Sequence, residues 1–180
     1  MTKTYITDDM RSVIGKEFNE QISFPIGAND IRRWAIATYY PDEPPRIFWD
    51  DDYAAASKYG TIVAPEEFNP FGWMTKKPAG LRRGGTDPSL SQGRRAEKNL
   101  EGVLGIEGPG LDNPLNGGQT TEYTGVRMRP GDVIRAVTAV SDYFEREGKL
   151  GLMLFTEQTT TWTNQNGEVV KISKSILIRY

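Results

Sequence analysis

The spacing of hydrophobic positions changes along the chain and divides it into a helical first part and a β-rich second part. From Asn116 onward, Val, Ile, Thr and aromatic residues dominate, and the turn signals RPGD, REGK and NQNG separate four extended stretches. Four strands joined by tight turns predict an antiparallel meander. One further strand over residues 18–26 makes a sheet of five strands.

The first part carries three helical patterns. Residues with helical spacing follow Asn29, the predicted N-cap, and Pro41 ends this first helix. A second helix is predicted over residues 52–58. Aspartates stabilise the N-terminus of a helix, and Gly60 is typical of a residue that ends one. A third is predicted over residues 64–74, with Pro65 in its first turn. Because helices and strands are segregated along the chain, the predicted class is α+β.

Residues 75–115 differ in composition from both parts. They are rich in Gly and Pro and carry an excess of basic side chains. We therefore expect one domain over residues 1–180, interrupted by a long, basic, mostly irregular insertion. A length of 180 residues suits a single core.

Composition excludes several classes of chemistry. The chain has no cysteine and no histidine, which removes disulfides, thiolate nucleophiles, Ser-His-Asp triads and most transition-metal sites within this chain. Acid–base chemistry must therefore use Asp, Glu, Tyr or Lys, or a residue of another subunit. A net charge of -2 gives no reason to expect nucleic acid as a partner. Without an apolar run or signal-peptide core, we expect a cytoplasmic protein that does not bind membranes.

The stretch YYPDEPPRIFWDDD, residues 39–52, concentrates acids, prolines and aromatics between two predicted helices. Asp42 and Glu43 could transfer protons only if a dry pocket raised their pKa values. The alternative is that both are solvated turn acids and that Asp50 and its neighbours cap a helix. The sequence leaves both interpretations open.

The order of motifs resembles that of the N-terminal type of MaoC-like dehydratase domain. The matching motifs are IRRWAIAT, the Asp/Pro loop, DDYAAASKYG, IVAP, NGGQ, RPGD and a β-rich end closing on GEVV, over roughly residues 14–180. The resemblance implies a hot dog fold, in which an antiparallel sheet of five to six strands wraps around a central helix. It also implies membership of the (R)-specific enoyl-CoA hydratase and 3-hydroxyacyl dehydratase group, which acts on acyl thioesters.

Active members of that group carry a signature close to G-D-x-N-P-[IL]-H-x-D. Asp42, Pro45, Ile47 and Asp50 match its Asp, Pro, aliphatic and final Asp positions. Phe48 stands at the histidine position, so the departure falls on the residue that handles protons. Pro44 also replaces the expected Asn, and Arg46 resembles an insertion.

The resemblance assigns candidate residues. The candidate catalytic residues are Asp42, Glu43 and Asp50, and no metal or cofactor is expected apart from a coenzyme A thioester as substrate. The candidate substrate-binding residues are Arg46, Phe48, Trp49, Phe68, Trp73, Arg82, Arg83, Arg94 and Arg95. The last four would meet coenzyme A phosphates. The alternatives are a solvated loop tip for these arginines and ordinary core for the aromatics.

Family members without the histidine commonly pair with a subunit that keeps it. The resemblance therefore implies a homodimer, or a hetero-oligomer with a His-containing MaoC-like subunit, in which this chain shapes the substrate site. One alternative is a hot dog protein that binds acyl-CoA or another hydrophobic small molecule without catalysis. Another is a dehydratase or thioesterase that uses Asp or Glu as its only acid–base group.

Overall fold

A computed structural model describes residues 4–72 and 100–180 and contains a five-stranded antiparallel sheet. The strand order is β1-β3-β4-β5-β2. This architecture confirms the predicted α+β class and number of strands. The strands are β1 Glu17–Ile22, β2 Pro114–Tyr123, β3 Arg135–Gly148, β4 Gly151–Thr163 and β5 Val169–Arg179.

The strand order corrects the predicted meander of four strands. Strands β3, β4 and β5 do follow one another as neighbours, but β2 pairs with β5 at the far edge of the sheet. The chain between β2 and β3, which contains the RPGD turn, therefore crosses the sheet instead of closing a hairpin. Strand β1 pairs with β3 and forms the opposite edge.

Within the part of the chain that the structure describes, four short or medium helices accompany the sheet, and a 3₁₀ turn occupies Arg46–Phe48. Helix α2 begins at Ala28, and its N-cap is Gly27, two residues before the predicted N-cap Asn29. The N–H of Gly27 donates to the carboxylate of Asp30 at 3.2 Å. Helix α3 begins directly after Asp50. The helices are α1 Asp8–Ser12, α2 Ala28–Tyr39, α3 Asp51–Ala55 and α4 Leu100–Leu104.

The helix predicted over residues 64–74 is wrong for residues 64–72, which form turns. Tertiary contacts occupy the backbone groups that a helix would use. The carbonyl of Ala64 accepts from Arg127 at 3.0 Å, and the carbonyl of Phe68 accepts from Lys171 at 3.0 Å. Pro70 also lacks the N–H that would continue a helical ladder.

Helix α2 and the segment of residues 64–72 cover one end of the sheet. Ile31 of α2 packs with the fully buried Phe68 and with Ile134 and Val170 of the sheet region. Burying such a side chain contributes roughly 1.5–3 kcal/mol. Two edge-to-face pairs of rings lie in this core, Trp34 with Phe68 and Phe71 with Trp162. We call these four residues the aromatic cluster.

Helices α1 and α4 cover the other end of the same face. Their side chains form a second core, which contains Met10, Leu104, Val140 and Leu154 and is called the apolar end cluster below. The inner face of the sheet therefore has a buried core at each end. Within residues 4–72 and 100–180, no helix is long and apolar enough to cross a bilayer.

A buried ion pair fastens α4 to the sheet. Glu101 is fully buried and accepts two bonds at 2.8 Å from Arg179, which donates a third bond to the hydroxyl of Thr156 at 2.7 Å. Burial, with the negative charge of Glu101 second, raises the pKa of Tyr143 to about 12. This charged group is enclosed by the protein and holds α4 in one position.

Candidate functional site

The loop before α3 places its two candidate acids at the surface. Asp42 and Glu43 are both exposed, and the N–H of Asp42 donates to the carbonyl of Tyr39 at 2.8 Å in a turn. An exposed carboxylate lacks the dry surroundings that would adapt it to proton transfer near neutral pH. This placement matches the turn-acid interpretation of the loop, and their catalytic role stays a prediction.

Asp50 is the N-cap of α3. Its carboxylate accepts from the backbone N–H of Tyr53 at 3.0 Å and from Nε of Arg46 at 2.8 Å. The backbone donor, with Arg46 second, holds the pKa of Asp50 below its usual range. Arg46 also lies over the Tyr53 ring, 4.8 Å from its centroid. The last Asp of the signature thus has a local structural role in this chain.

Phe48, at the histidine position, is only 6% exposed and points into the protein. It packs with Ala35 of α2 and Val63, and its ring lies 5.9 Å from that of Tyr39. Trp49 donates from its indole to the carbonyl of Pro44 at 2.8 Å, which closes the loop on itself. The 3₁₀ turn therefore directs an apolar ring into the core.

Arg127 joins this loop to the segment of residues 64–72. Its guanidinium lies 5.8 Å from the Phe48 ring and donates to the carboxylate of Glu66 at 2.8 Å and to the Ala64 carbonyl. The backbone N–H of Ala64 in turn donates to the carbonyl of Met128 at 2.8 Å. These bonds fix the start of the segment against the loop between β2 and β3.

Lys171 of β5 fixes the middle of the segment. The residue is 5% exposed, its Nζ donates to the Phe68 carbonyl, and it lies 4.1 Å from the centroid of the Trp162 ring. Burial lowers the pKa of Lys171 to about 8, and the charge of Glu67 opposes this shift. An ammonium over an indole gains a cation–π contact but loses much of its hydration.

The region around Lys171 has more hydrogen-bond donors than acceptors. Among the described residues, the buried indole N–H groups of Trp34 and Trp162 and the Nε of Arg127 have no hydrogen-bond partner. A cavity of about 10 Å³, lined by Arg127 together with residues 64–66, Tyr123 and others, is large enough for one water. Buried donors of this kind are commonly satisfied by an ordered water.

The structure brings part of the predicted set together. Phe48, Trp49 and Arg46 lie in the loop, and Phe68 lies beyond Val63, whose N–H donates to the Ile47 carbonyl at 3.2 Å. Most of the predicted insertion lies outside the described residues. So do five of the candidate residues, namely Trp73, Arg82, Arg83, Arg94 and Arg95. Within the described ranges, no group of three or more acidic side chains could hold a metal ion.

Lys171 and Arg127 are the residues that sequence reasoning missed. A lysine in a strand usually extends into solvent, and the segment ISKS that follows Lys171 gives no contrary signal. Only the aromatic neighbour Trp162, which pairs with Lys171 across β4 and β5, could have suggested a covered position. The Phe68 carbonyl comes from a distant part of the chain and could not be foreseen.

Solved structures with this fold include several hydratases and dehydratases. The ChsH1–ChsH2 complex of Mycobacterium tuberculosis is 17% identical over 96% of this chain and 89% of that one, with a TM-score of 0.65. The (R)-hydratase PhaJ1 of Pseudomonas aeruginosa is 17% identical over 92% and 81%, with a TM-score of 0.52. The HadBC 3R-hydroxyacyl-ACP dehydratase complex of Mycobacterium tuberculosis is 19% identical over 89% and 96%, with a TM-score of 0.51.

These likenesses confirm the predicted hot dog fold. No curated protein sequence matches the chain. The family described as the FAS1-like, dehydratase domain region matches residues 12–173, which include the loop, the segment of residues 64–72 and almost the whole sheet. The chain therefore belongs to the family described as the FAS1-like, dehydratase domain region.

Proposed function

We propose that this protein is the substrate-shaping subunit of a MaoC-like enoyl-CoA hydratase or 3-hydroxyacyl-CoA dehydratase, and that a partner subunit supplies the histidine. The observation that carries the proposal is the position of Phe48. Its ring packs on Ala35 and Val63 where the family signature has its histidine, and the neighbouring acids Asp42 and Glu43 are exposed. A phenylalanine ring at this position cannot carry a proton near neutral pH.

Family membership supports the reaction class. Hydration of a conjugated thioester needs a positioned water, a proton acceptor, a proton donor and donors for the enolate oxygen. This chain contributes apolar walls and N–H donors, whereas the proton-transferring groups would come from the partner. Two of the similar solved structures are themselves complexes of two different chains.

The edges of the sheet support an assembly with another subunit. Almost every residue of β2 is exposed, although this strand is ten residues long. A long exposed edge strand is commonly covered in the functional state, because its free N–H and C=O groups can pair with another chain. A homodimer or a hetero-oligomer would meet this requirement.

The test compares the chain alone with the chain mixed with a MaoC-like subunit that keeps the D-x-N-P-x-H signature and is encoded by a neighbouring reading frame. Hydration of crotonyl-CoA is followed in both samples. We expect turnover only in the mixture.

Turnover by the lone chain that Asp42→Asn abolishes would instead support an enzyme using Asp or Glu. Binding of crotonyl-CoA without turnover in either sample would support an acyl-CoA-binding protein. If neither sample binds an acyl thioester, the proposal is wrong about the substrate class.

A further inference from the structure

The outer face of the sheet carries a row of large apolar side chains. Phe144 of β3 pairs with Phe155 of β4, Phe155 with Ile178 of β5, and Ile178 with Leu115 of β2. Directly paired residues of antiparallel strands point to the same face, so the row crosses four of the five strands. We call these four residues the outer apolar row. It is about 14 Å long, because neighbouring strands are about 4.8 Å apart.

Strand alternation shows that the outer apolar row points away from the helices. Tyr143, Leu154 and Arg179 each stand next to a member of the row in sequence, and all three are buried beneath α1 and α4. None of the buried cores formed by the described residues includes a member of the row, and Leu115 is 44% exposed. A solvated face of an antiparallel sheet normally carries polar side chains. A continuous apolar row on it indicates a surface for another protein chain.

Two charged side chains flank Phe144 on the same strand and the same face. Arg146 follows it by two residues, and Asp142 precedes it by two residues in continuous register. The Arg146 guanidinium lies 5.1 Å from the centroid of the Phe144 ring and 5.5 Å from that of Phe155. Both charges are exposed, and within residues 4–72 and 100–180 neither has an ion-pair partner. They cannot pair with each other, because four residues of a strand span about 13 Å.

The order of these charges along β3 is complementary to itself. A two-fold axis along the outer apolar row reverses the strand direction in a second copy of the chain. Phe144 then faces its own counterpart, and Arg146 of each copy faces Asp142 of the other, because a two-fold interface uses the same surface twice. Two ion pairs form together with the apolar contacts. The rings of Phe144 and Phe155, which stack 4.9 Å apart, give this contact a broad apolar surface.

The other acid beside the row does not oppose this arrangement. Glu157 pairs with Asp142 across β3 and β4, and the same two-fold axis places it opposite Met153 of the second copy. Its counter-charge is Lys174 of its own chain, at 3.8 Å, and it accepts a hydrogen bond from the Ser141 hydroxyl at 2.9 Å. Glu157 therefore needs no partner from the second copy.

The size of the overlap suits a reversible dimer. Four strands are about 19 Å wide, and the two sheets would overlap along about 24 Å of strand, because the row lies near the ends of β5 and β2. The covered surface is roughly 450 Å² per copy and roughly 900 Å² in total, which is typical of weak and transient association. Sheets that pack face to face in this way keep their strands within about 30° of each other.

We propose that the outer apolar row, with Arg146 and Asp142, is a two-fold interface between two copies of this chain, whose sheets pack back to back. This inference goes beyond the proposed function and does not depend on it. The row lies on the opposite face from the buried cores and leaves free the edge of β2, where another subunit would pair. The two contacts together join two such pairs of subunits into an assembly of four chains.

The test is sedimentation velocity of the full chain over a range of concentrations. Arg146→Glu and Asp142→Arg each place like charges opposite one another at both ion pairs, so each should weaken the dimer at least about tenfold. Arg33→Glu is the matched control, because it makes the same change of charge at an exposed position of α2. It should leave the Kd of the dimer unchanged.

An equimolar mixture of the Arg146→Glu and Asp142→Arg chains tests the two-fold arrangement directly. In a dimer of the two variants, the introduced glutamate of one chain faces the introduced arginine of the other. Asp142 of the first chain faces Arg146 of the second, so both ion pairs form again. We expect the mixture to dimerise with a Kd within about threefold of the wild-type value, although neither variant does so alone.

The absence of cysteine allows a second measurement that changes no charge, in case a charge variant does not fold. Ile178→Cys places a unique thiol on the proposed axis, and a short bis-maleimide should cross-link this chain to a second copy. A disulfide would not reach, because packed sheets are about 10 Å apart. Thr163→Cys is the matched control, since Thr163 is half buried on the same face but lies about 27 Å along β4 from Phe155. It should not cross-link, and adding Arg146→Glu should remove most of the cross-linking at position 178.

Three results would overturn the inference. The first is a chain that stays monomeric up to about 0.5 mM, where an association of this size should be populated. The second is a dimer whose Kd the charge variants do not change, which would place the contact on another surface such as the β2 edge. The third is a mixture that dimerises no better than its components. No substrate is present in these measurements, so they leave the proposed function to its own assay.

Discussion

Replacing Lys171 by methionine tests whether a desolvated ammonium lies against the aromatic cluster. The folded-state pKa of Lys171 is about 8, against an ordinary value of 10.5, chiefly because of burial. Between these two pH values the unfolded chain binds more protons than the folded chain, so the free energy of unfolding rises with pH. Below about pH 8 both states are protonated, and the cost of burying the charge is constant.

The size of this effect follows from the pKa shift. One pKa unit corresponds to about 1.4 kcal/mol, so a shift from 10.5 to about 8 sets a ceiling of roughly 3 kcal/mol. Relaxation and water penetration reduce the cost of buried charges, and we use roughly 2 kcal/mol. Methionine removes this cost but also leaves the Phe68 carbonyl without its donor, which costs about 1 kcal/mol.

The assay is urea unfolding of the wild-type and Lys171→Met chains at several pH values. We expect the variant to be about 1 kcal/mol more stable at about pH 7 and about 1 kcal/mol less stable at about pH 10.5. Lys174→Met, which removes an exposed lysine from the same strand, should give a difference that does not change sign. A stability difference for Lys171→Met that is independent of pH would refute the burial of a charged amine at this position.

Other features of the structure give three further predictions. Glu101→Gln should lower the free energy of unfolding by about 3 kcal/mol, because it leaves the buried Arg179 guanidinium without its counter-charge, whereas the exposed Glu107→Gln should have little effect in the same denaturation assay. Asp50→Ala should lower the melting temperature at neutral pH; since the pKa of Asp50 is lowered in the folded state, this difference should shrink as pH falls through that pKa, as calorimetry can measure. Phe48→His should give the lone chain no crotonyl-CoA hydration and should lower its melting temperature, because the new imidazole would replace a buried ring; measurable turnover would contradict this view of the loop.

The sheet could be predicted from sequence because its strands carry strong local signals. The segments around β3, β4 and β5 are rich in Val, Ile, Thr and aromatic residues and are separated by Gly-containing turns, so their existence and hairpin order follow from short-range chemistry. The partner of β2 cannot be predicted in this way. A turn signal such as RPGD indicates that the chain reverses direction but does not indicate which strand it then pairs with. The position of β2 beside β5 is a property of the whole fold.

The hydrogen bonds that hold the candidate site join distant parts of the chain and could not be predicted from sequence. Pro65 and the following acids are typical of a helix start, but Arg127 and Lys171 use the carbonyls of the segment and hold it in turns. The signature match predicts that this chain departs from active hydratases in the loop, and that stays a prediction. It could not show that Phe48 faces the core, because the direction of a side chain in a 3₁₀ turn depends on what packs around it.

The strand order also determines how this sheet can assemble during folding. Strands β3, β4 and β5 are joined by short turns, so their pairing closes small loops and costs little chain entropy. The two edge pairings are different. More than a hundred residues separate β1 from its partner β3, and both β3 and β4 lie between β2 and its partner β5 in the sequence. We therefore expect a central three-stranded unit of β3, β4 and β5 to form first and the edge strands β1 and β2 to be added last.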